Sequence, residues 1–464
     1  MGNKIIIAFM AAAAMLAAGC SGTRNLTRAK VDMPVTLAAG YADSLCVADK
    51  GWWQFYTDTA LCSLIDRALT NNRDLRRAAA RVEEARELLG VAKAQLLPEL
   101  GAMAQPTRET EHYGDVAETT VKDYFELKAT VAWEFNLWGA GIQNRRQAEA
   151  QWLATEEDKR AMQMSLVANV ASLYYRLRAL HSELAFVKRT LITRQENVRY
   201  AKLRFDYGAV SEVVYRQALV EHATTAALVP GIEHRITAAN NALGVLLGEL
   251  PGTTYAAADL NPDDALSVEV PVGLPSELLE RRPDLRASEQ RLKAAMAGVG
   301  VAYANRFPSL RISLQGGLEA KELADFFKSP YSYTLGSIAG SIFDFGKRKR
   351  RYKAAIAAYD QARYTYEQNV ITAFSEVSDA VSAYQRTCET VELRANLRDA
   401  ARRYADLALA NYRGGNLAYI DVLDAQRRYF DAQTSLINAV RDRYLGLINL
   451  YKVLGGGWTG GPAA

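Results

Sequence analysis

The chain has 464 residues, of which 49% are hydrophobic and 23% charged, and its formal net charge at pH 7 is +4. This length is typical of two or three domains, and the small charge gives no support for a nucleic-acid partner. The four histidines have no metal-ligand spacing with cysteine or acid, and no serine or cysteine has a recognisable base partner. The sequence therefore predicts no metal site, no cofactor and no enzyme activity.

The first 19 residues are predicted to be a lipoprotein signal peptide. Lys4 precedes the apolar run IIIAFMAAAAMLAA, which is too short for a standard transmembrane helix and ends in LAAGC. The small residues before Cys20 predict cleavage there, acylation of Cys20 and a lipidated segment at 20–56. The alternative is an ordinary signal peptide followed by a chance cysteine. An oxidising compartment would permit a Cys46–Cys62 disulfide, which the sequence cannot establish.

The remainder of the chain is predicted to contain one structural unit twice. The segment at 72–100 is similar to that at 282–310, and Gly139 and Gly208 recur 207 positions later as Gly346 and Gly415. The predicted division is a first repeat at 57–256 (strands about 99–137, long helices about 141–248), a linker at 257–274, and a second repeat at 275–464 (strands about 308–345, long helices about 347–454).

Each repeat is predicted to contribute two long strands. FELKATVAWEFNLW alternates apolar and polar residues over more than the 9–11 residues that a tilted strand needs to cross a bilayer, and PSLRISLQGGLE continues the pattern. Aromatic residues near these strands are expected in an interfacial girdle: Trp133, Trp138, Tyr331 and Tyr333. An ordinary soluble hairpin is the alternative.

The helices that follow the strands are predicted to be unusually long. From Gln143 to Phe205 there is neither proline nor glycine, which corresponds to a rod on the order of 95 Å. Apolar residues at alternating spacings of four and three predict left-handed, coiled-coil-like packing. They are Leu166, Val170, Leu173, Leu177, Leu180, Leu184, Val187 and Leu191 in the first repeat, and Val440, Tyr444, Leu447, Tyr451 and Leu454 in the second.

Four strands per chain cannot close a barrel alone. No apolar run after the signal peptide is long enough for a spanning helix, so a membrane crossing would have to use strands. Single-chain outer-membrane barrels begin at about eight strands, and lipid does not tolerate open sheet edges. The strands are therefore expected to be shared in a closed ring of chains. Two chains would give a barrel of about eight strands filled by side chains, and three would give about twelve strands and leave room for a lumen.

The chain resembles the TolC family in the order of these elements and in several stretches of sequence. These stretches are LAAGC, GWWQFYTDTALCSLIDRALTNNRDLRRA, RRPDLRASEQ, FDFGKRKRR, IDVLDAQRRYFDAQ and NLYKVLGGGW. They are most similar to the family's lipoprotein branch of NodT-type outer-membrane efflux factors. The resemblance covers nearly the whole mature chain. It implies an α+β membrane protein: a homotrimer with a twelve-stranded outer-membrane β-barrel, four strands per chain, continued by a long periplasmic α-helical barrel.

The resemblance also implies a function and a location. The protein would be the exit duct of a tripartite efflux pump, lipid-anchored in the outer membrane and extending into the periplasm. Its partners would be a periplasmic adaptor (membrane fusion) protein, an inner-membrane RND-type transporter and outer-membrane lipid, with no nucleic acid. The exported substrate cannot be told from the sequence.

Two sets of residues match the family's functional positions. The gate residues that the resemblance implies are Asp421 and Asp424, in a stretch where the family has paired acids at a periplasmic aperture. The adaptor-contacting tips that it implies are Arg204, Phe205 and Gly208 in the first repeat and Tyr412 and Gly415 in the second.

The repeat adds information on the two acids. Their counterparts 207 positions earlier are Val214 and Gln217, so the acids occur in one half only. A trimer would then have two rings of three carboxylates, which attract cations. The alternative interpretation is a solvated helix start whose acids pair with Arg427 or Arg428.

The role of one positively charged run, and the alternative that the protein is a scaffold and not a channel, remain to be considered. GKRKRR at 346–351 follows a predicted barrel strand, where cations meet anionic phospholipid headgroups, although a solvated helix start explains it equally well. A non-conducting coiled-coil scaffold would explain the heptads. It would not explain the four amphipathic strands or the duplication.

Overall fold

The computed structural model describes residues 50–112, 119–255, 260, 275–341 and 343–457. The predicted signal peptide, the acylation site Cys20, Cys46 and nearly all of the predicted linker lie outside these residues. The acylation and the disulfide therefore stay predictions. Cys62 is a free thiol in the structure, and its Sγ donates a hydrogen bond to the Tyr56 carbonyl oxygen at 3.1 Å.

The helices of the described residues are α1 (Trp52–Phe55), α2 (Thr59–Asn71), α3 (Arg73–Ala94), α4 (Ala140–Asp206), α5 (Glu212–Leu247), α6 (Pro275–Arg281), α7 (Pro283–Ala304), α8 (Lys347–Arg413) and α9 (Tyr419–Val453). The strands are β1 (Glu99–His112), β2 (Thr119–Phe135), β3 (Ser309–Ala320) and β4 (Pro330–Ala339), and a 3₁₀ helix (Leu323–Lys328) connects the last two. None of these helices has an apolar stretch long enough to cross a membrane.

The same series of elements occurs twice along the described chain. A 22-residue helix, two strands, a 67-residue helix and a helix of 35 or 36 residues occur as α3–β1–β2–α4–α5 and again as α7–β3–β4–α8–α9. The chain also divides into two compact units, and each unit takes segments from both series. So far as they are described, unit 1 comprises Arg81–Glu156 and Ala287–Gln368, and unit 2 comprises Asp32–Ala80, Glu157–Arg286 and Asn369–Ala464.

Unit 1 contains a four-stranded antiparallel sheet in the order β1-β2-β3-β4. Its register places Val131 opposite Leu100 on one side and opposite Leu314 on the other. Because paired residues project from the same face, the register sorts the side chains into an apolar and a polar face. The apolar face carries Leu100, Ala102, Ala104, Phe125, Leu127, Val131, Trp133, Phe135, Leu310, Ile312, Leu314, Leu318 and Ile338.

The opposite face of the sheet is polar and is linked by ion pairs and hydrogen bonds. Lys128 Nζ lies 3.0 Å from a Glu126 carboxylate oxygen, and the Tyr331 hydroxyl donates to the other oxygen at 2.8 Å. Tyr331 and Tyr333 pair with Gly317 and Gln315 and therefore share this polar face. The girdle prediction is wrong for these two tyrosines, because their parity in β4 turns them away from the apolar band, whereas Trp133 lies on that band.

The core of unit 2 follows the predicted heptads. Leu166, Val170, Leu177 and Val187 are buried, and the neighbouring seam leucines are partly buried against the same core. All five apolar positions predicted near the C-terminus, from Val440 to Leu454, are buried as well. Burial of each large aliphatic side chain contributes about 1.5–3 kcal/mol, so this seam is a principal stabilising element of the unit.

Candidate functional site

The two long helices end in turns of the same construction. After α4, the Ala209 amide donates to the Arg204 carbonyl oxygen at 2.8 Å and the Gly208 amide to the Phe205 carbonyl oxygen at 2.9 Å. After α8, Asn416 and Gly415 make the corresponding bonds to the Asn411 and Tyr412 carbonyl oxygens, at 3.0 and 3.1 Å. This pair of bonds is the Schellman motif, which requires a residue in the left-handed region. The glycines supply it, with φ of +69° at Gly208 and +80° at Gly415.

A direct contact joins the two turns. Arg204 Nη1 donates to the Tyr412 hydroxyl at 3.0 Å, and the guanidinium carbon lies 5.4 Å from the centre of the Tyr412 ring. Phe205 stacks on Tyr215 of α5 with ring centres 6.2 Å apart. The structure therefore brings the five predicted tip residues to one end of unit 2, with the two glycines open to solvent.

Replacing a turn glycine by alanine is expected to strain its turn. Gly208→Ala or Gly415→Ala forces a Cβ-bearing residue into the left-handed region, which costs about 1–2 kcal/mol although no neighbouring atom obstructs the methyl group. Thermal unfolding of the detergent-purified protein should show a lower midpoint for each variant. Gly90→Ala is the matched control, because Gly90 is a mid-helix glycine with open space around it, and here the midpoint should rise. A fall of equal size in all three would contradict the conformational explanation.

The two predicted gate acids have different surroundings. A carboxylate oxygen of Asp424 accepts from Arg428 Nε at 2.7 Å, an i,i+4 pair on the α9 surface. Within the described residues the carboxylate of Asp421 has no hydrogen bond or ion pair, although its side chain is half-buried. Pairing with Arg428 is therefore present for Asp424 and absent for Asp421. Such exposed pairs contribute little, about 0.3–0.5 kcal/mol.

The strongest electrostatic feature of this region is a carboxylate that the sequence analysis missed. Glu221 of α5 forms ion pairs with Arg194 of α4 and with Arg427 of α9, and Arg427 Nε donates to Glu221 Oε1 at 2.8 Å. The Glu221 and Arg194 side chains are only 8% and 6% exposed, whereas that of Arg427 is 54% exposed. One buried carboxylate thus joins three helices, and we call these three residues the Glu221 clasp.

The charges of the clasp depend on one another. The hydrogen bonds with Glu221 raise the pKa of Arg427, and the nearby negative charges of Glu221 and Asp424 act in the same direction. Close by, burial and the neighbouring Tyr412 raise the pKa of Tyr419 to about 12, so its hydroxyl stays neutral. A buried charge that loses its partner costs about 3–5 kcal/mol, so Arg194 and Glu221 must remain paired.

The charged and aromatic side chains of this region connect helices to one another. No group of histidine, cysteine, aspartate and glutamate in the described parts of the chain has an arrangement that could hold a metal ion. What the residues provide is an ion-paired junction of three helices, an unpartnered carboxylate at Asp421 and two exposed turns.

Comparison with known proteins agrees with this architecture. The profile described as "Outer membrane efflux protein" matches residues 64–249 and again 274–456. The solvent efflux pump outer membrane protein SrpC of Pseudomonas putida is 33% identical over 417 residues, which is 88% of this chain and 87% of SrpC. The probable outer membrane lipoprotein SilC of Salmonella typhimurium is 31% identical over 418 residues, 89% of each chain.

Solved structures show the same fold. The outer-membrane channel OprN superposes with a TM-score of 0.87 at 29% identity, covering 95% of this chain and 99% of that one. The predicted fold class, a channel-forming α+β membrane protein with four strands per chain, is confirmed. The predicted function, an outer-membrane efflux channel and not an enzyme, is confirmed with it. The chain therefore belongs to the outer membrane efflux protein family.

Proposed function

We propose that three copies of this chain form the exit duct of a tripartite efflux pump. The sheet carries this proposal, because one face is apolar, the other is polar, and the outer strands β1 and β4 each have a neighbour on one side only. Such edges are not tolerated in lipid, and three sheets joined edge to edge remove them with about twelve strands around a lumen. The polar face then lines the lumen and the apolar face meets the lipid.

A second surface supports association with further copies of the chain. A groove of about 460 Å³ between α5 and α9 has exposed apolar side chains in its lining, Val213, Val220 and Ile420. Isolated apolar residues are common on protein surfaces, but a contiguous apolar strip such as this one, beside the Glu221 clasp, indicates a surface that another protein surface buries. In the proposed trimer the helices of the adjacent subunit cover it.

In the proposed duct, the end of unit 2 with the two glycine turns is the periplasmic gate. Asp421 and Asp424 of three chains form two rings of carboxylates, and the Glu221 clasp holds α5 to α9 in the closed state. The turns at Gly208 and Gly415 contact a periplasmic adaptor protein, which docks an inner-membrane transporter of the RND type. Support for this comes from the exposed turns and from the Asp421 carboxylate, which is unpartnered within the described chain.

The anchoring and the domain division complete the proposal. Acylation of Cys20 would hold the mature N-terminus at the outer membrane, and the two repeats at 57–256 and 275–464 would each supply half of the strands and half of the helices. The relative SrpC is named for solvents, which fits a duct for small molecules without assigning one to this chain.

The duct is tested by assembly and conduction together. Outer-membrane extracts should contain a species that migrates as a trimer before boiling and as a monomer afterwards. The purified trimer should form pores in planar bilayers. A stable monomer, or a trimer without conductance under any applied voltage, would exclude the duct and favour a scaffold.

The gate is tested by removing its acids. The double variant Asp421→Ala, Asp424→Ala is expected to lose cation preference and to conduct more in the closed state, because the rings no longer concentrate cations or narrow the aperture. Reversal potentials in a salt gradient measure the preference. The control variant Asp379→Ala, Asp406→Ala removes two exposed α8 carboxylates and should keep the wild-type reversal potential. If the double variant also kept it, the acids would not be the gate.

A further inference from the structure

The surface where β4 leads into α8 has an unusual composition. Phe343 and Phe345 are 75% and 87% exposed, and their rings meet edge to face at 4.7 Å. Phe345 is the one non-glycine residue of the described chain in the left-handed region, with φ of +53°. Neither its burial nor a favourable backbone explains why a phenylalanine occupies this place.

Five exposed cations follow the two aromatic residues within about two helical turns. They are Lys347, Lys349, Arg350, Arg351 and Lys353, and their side chains make no ion pair or hydrogen bond with any described residue. Their neighbour Arg348 is different, because it pairs with Asp344, whose carboxylate also accepts the Gly346 and Arg348 amides at 3.0 and 3.1 Å. The carboxylate of Asp344 is therefore already bonded within the turn that precedes α8.

The position of these cations is unfavourable for the helix itself. The first turn of a helix carries a partial positive charge, so basic residues there destabilise it and acidic residues are preferred. The Asp344 carboxylate, which accepts the Arg348 amide, supplies one negative charge at the start of α8, but the first turn itself contains no acidic residue to offset the cations that follow. A compensating negative charge from outside the chain would remove this conflict.

The first half of the chain shows that the turn does not need such residues. The positions 207 residues before 347–351 are AGIQN, which carry no charge. There Trp138, the counterpart of Phe345, stacks on Phe307 at 4.7 Å and donates its Nε1 hydrogen to the Pro308 carbonyl oxygen at 2.7 Å. The two exposed phenylalanines and four of the five cations therefore belong to the second strand-to-helix junction alone, whereas Lys353 corresponds to Arg146 of the first.

We propose that Phe343, Phe345 and the five cations form a binding surface for anionic glycerophospholipid in the periplasmic leaflet of the outer membrane. We call these seven residues the junction patch. Ile338, 77% exposed on the apolar face, lies near the end of β4, so the patch directly follows the apolar face of the sheet along the chain. Phenylalanines enter the acyl boundary while the ammonium and guanidinium groups meet the lipid phosphates, each near-surface cation adding to the attraction. The inference rests on the proposed placement of the sheet in the outer membrane.

The test uses the full-length protein purified in detergent. Trimers are mixed with equal amounts of phosphatidylglycerol or phosphatidylcholine, and native mass spectrometry counts the lipids that each trimer retains. Wild-type trimers should retain more phosphatidylglycerol. The variant Lys347→Gln, Lys349→Gln, Arg350→Gln, Arg351→Gln should bring the ratio of the two lipids to about one, because only the charge attraction distinguishes them.

Two controls make the result specific. The variant Arg394→Gln, Arg402→Gln, Arg403→Gln, Arg413→Gln removes four exposed cations from the unit 2 part of α8 and should keep the wild-type ratio. Phe345→Asn, which suits the left-handed backbone, should reduce retention of both lipids.

Three outcomes would overturn the junction patch. They are an unchanged ratio in the quadruple patch variant, an equal fall in the α8 control and, in a parallel mixture with lipid A in place of phosphatidylcholine, a preference of the wild type for lipid A over phosphatidylglycerol. The proposed duct fails separately, if the wild type gives no conducting trimer. Conducting trimers without phosphatidylglycerol preference contradict the patch alone.

Discussion

Replacing Glu221 by glutamine is expected to leave the channel open and to lower its stability. The amide keeps the shape of the side chain, but the buried Arg194 loses its counter-charge and Arg427 loses the acceptor that joins α9 to α5. Leaving a buried charge unpaired costs about 3 kcal/mol or more, so the thermal midpoint should fall by roughly 3–6 °C. Single-channel recording should show higher conductance at low voltage than for the wild type.

Two further variants separate the parts of this effect. Arg427→Gln removes only the ion pair between Glu221 and the exposed Arg427 side chain. It should open the channel with little loss of stability, because the Arg427 side chain is largely solvated. Glu212→Gln removes an exposed pair with Arg216 on the same helix and should change neither property. A closed channel in both Glu221→Gln and Arg427→Gln would show that the clasp does not hold the gate.

Replacing Gly317 by alanine is expected to abolish assembly in the membrane. A Cβ at this position would lie 2.1 Å from the Leu127 carbonyl oxygen and 2.8 Å from the Lys128 Cα, and both are backbone atoms of β2. The β2–β3 pairing joins the strands of the two halves into one sheet, so the strain falls on the only connection between them in the described sheet. Overpacking typically costs about 1–3 kcal/mol, and the short distances to backbone atoms put this substitution at the upper end of that range. Extracts should lack the heat-sensitive trimer band.

The neighbouring glycines provide matched controls for this substitution. Gly316→Ala brings the new methyl group no closer than 3.7 Å to any atom, and Gly336→Ala meets nothing within 4 Å. Both variants should give trimers at wild-type yield. Normal trimer yield for Gly317→Ala, or equal loss in the controls, would show that close approach of β2 and β3 does not limit assembly.

The sequence predicted the regular parts of this fold because their causes are local or periodic. The absence of glycine and proline from Gln143 to Phe205 predicted a helix that the structure places at Ala140–Asp206. The alternation in β2 predicted a two-faced strand, and the register confirms that arrangement. The glycines at 208 and 415 marked the turns because the left-handed backbone there excludes most other residues.

The rest depended on contacts between distant parts of the chain. Glu221 was not recognised because its partners lie 27 residues before it and 206 after it, and no local spacing relates them. The spacing that is visible, three or four residues along α9, predicted only the weak pair of Asp424 and Arg428. Tyr331 and Tyr333 were misplaced because apolar residues occur at both parities in β4, so the pattern left its face undecided.

The equal lengths of α4 and α8 restrict which insertions and deletions the sequence of such a protein can accept. Both helices have 67 residues, and their final turns are joined by the 3.0 Å hydrogen bond from Arg204 to Tyr412. One additional heptad in one helix alone would displace its turn by about 10 Å and separate these two residues. We therefore expect the lengths of α4 and α8 to change together, because an insertion or deletion in one half alone would break the contact between the two turns.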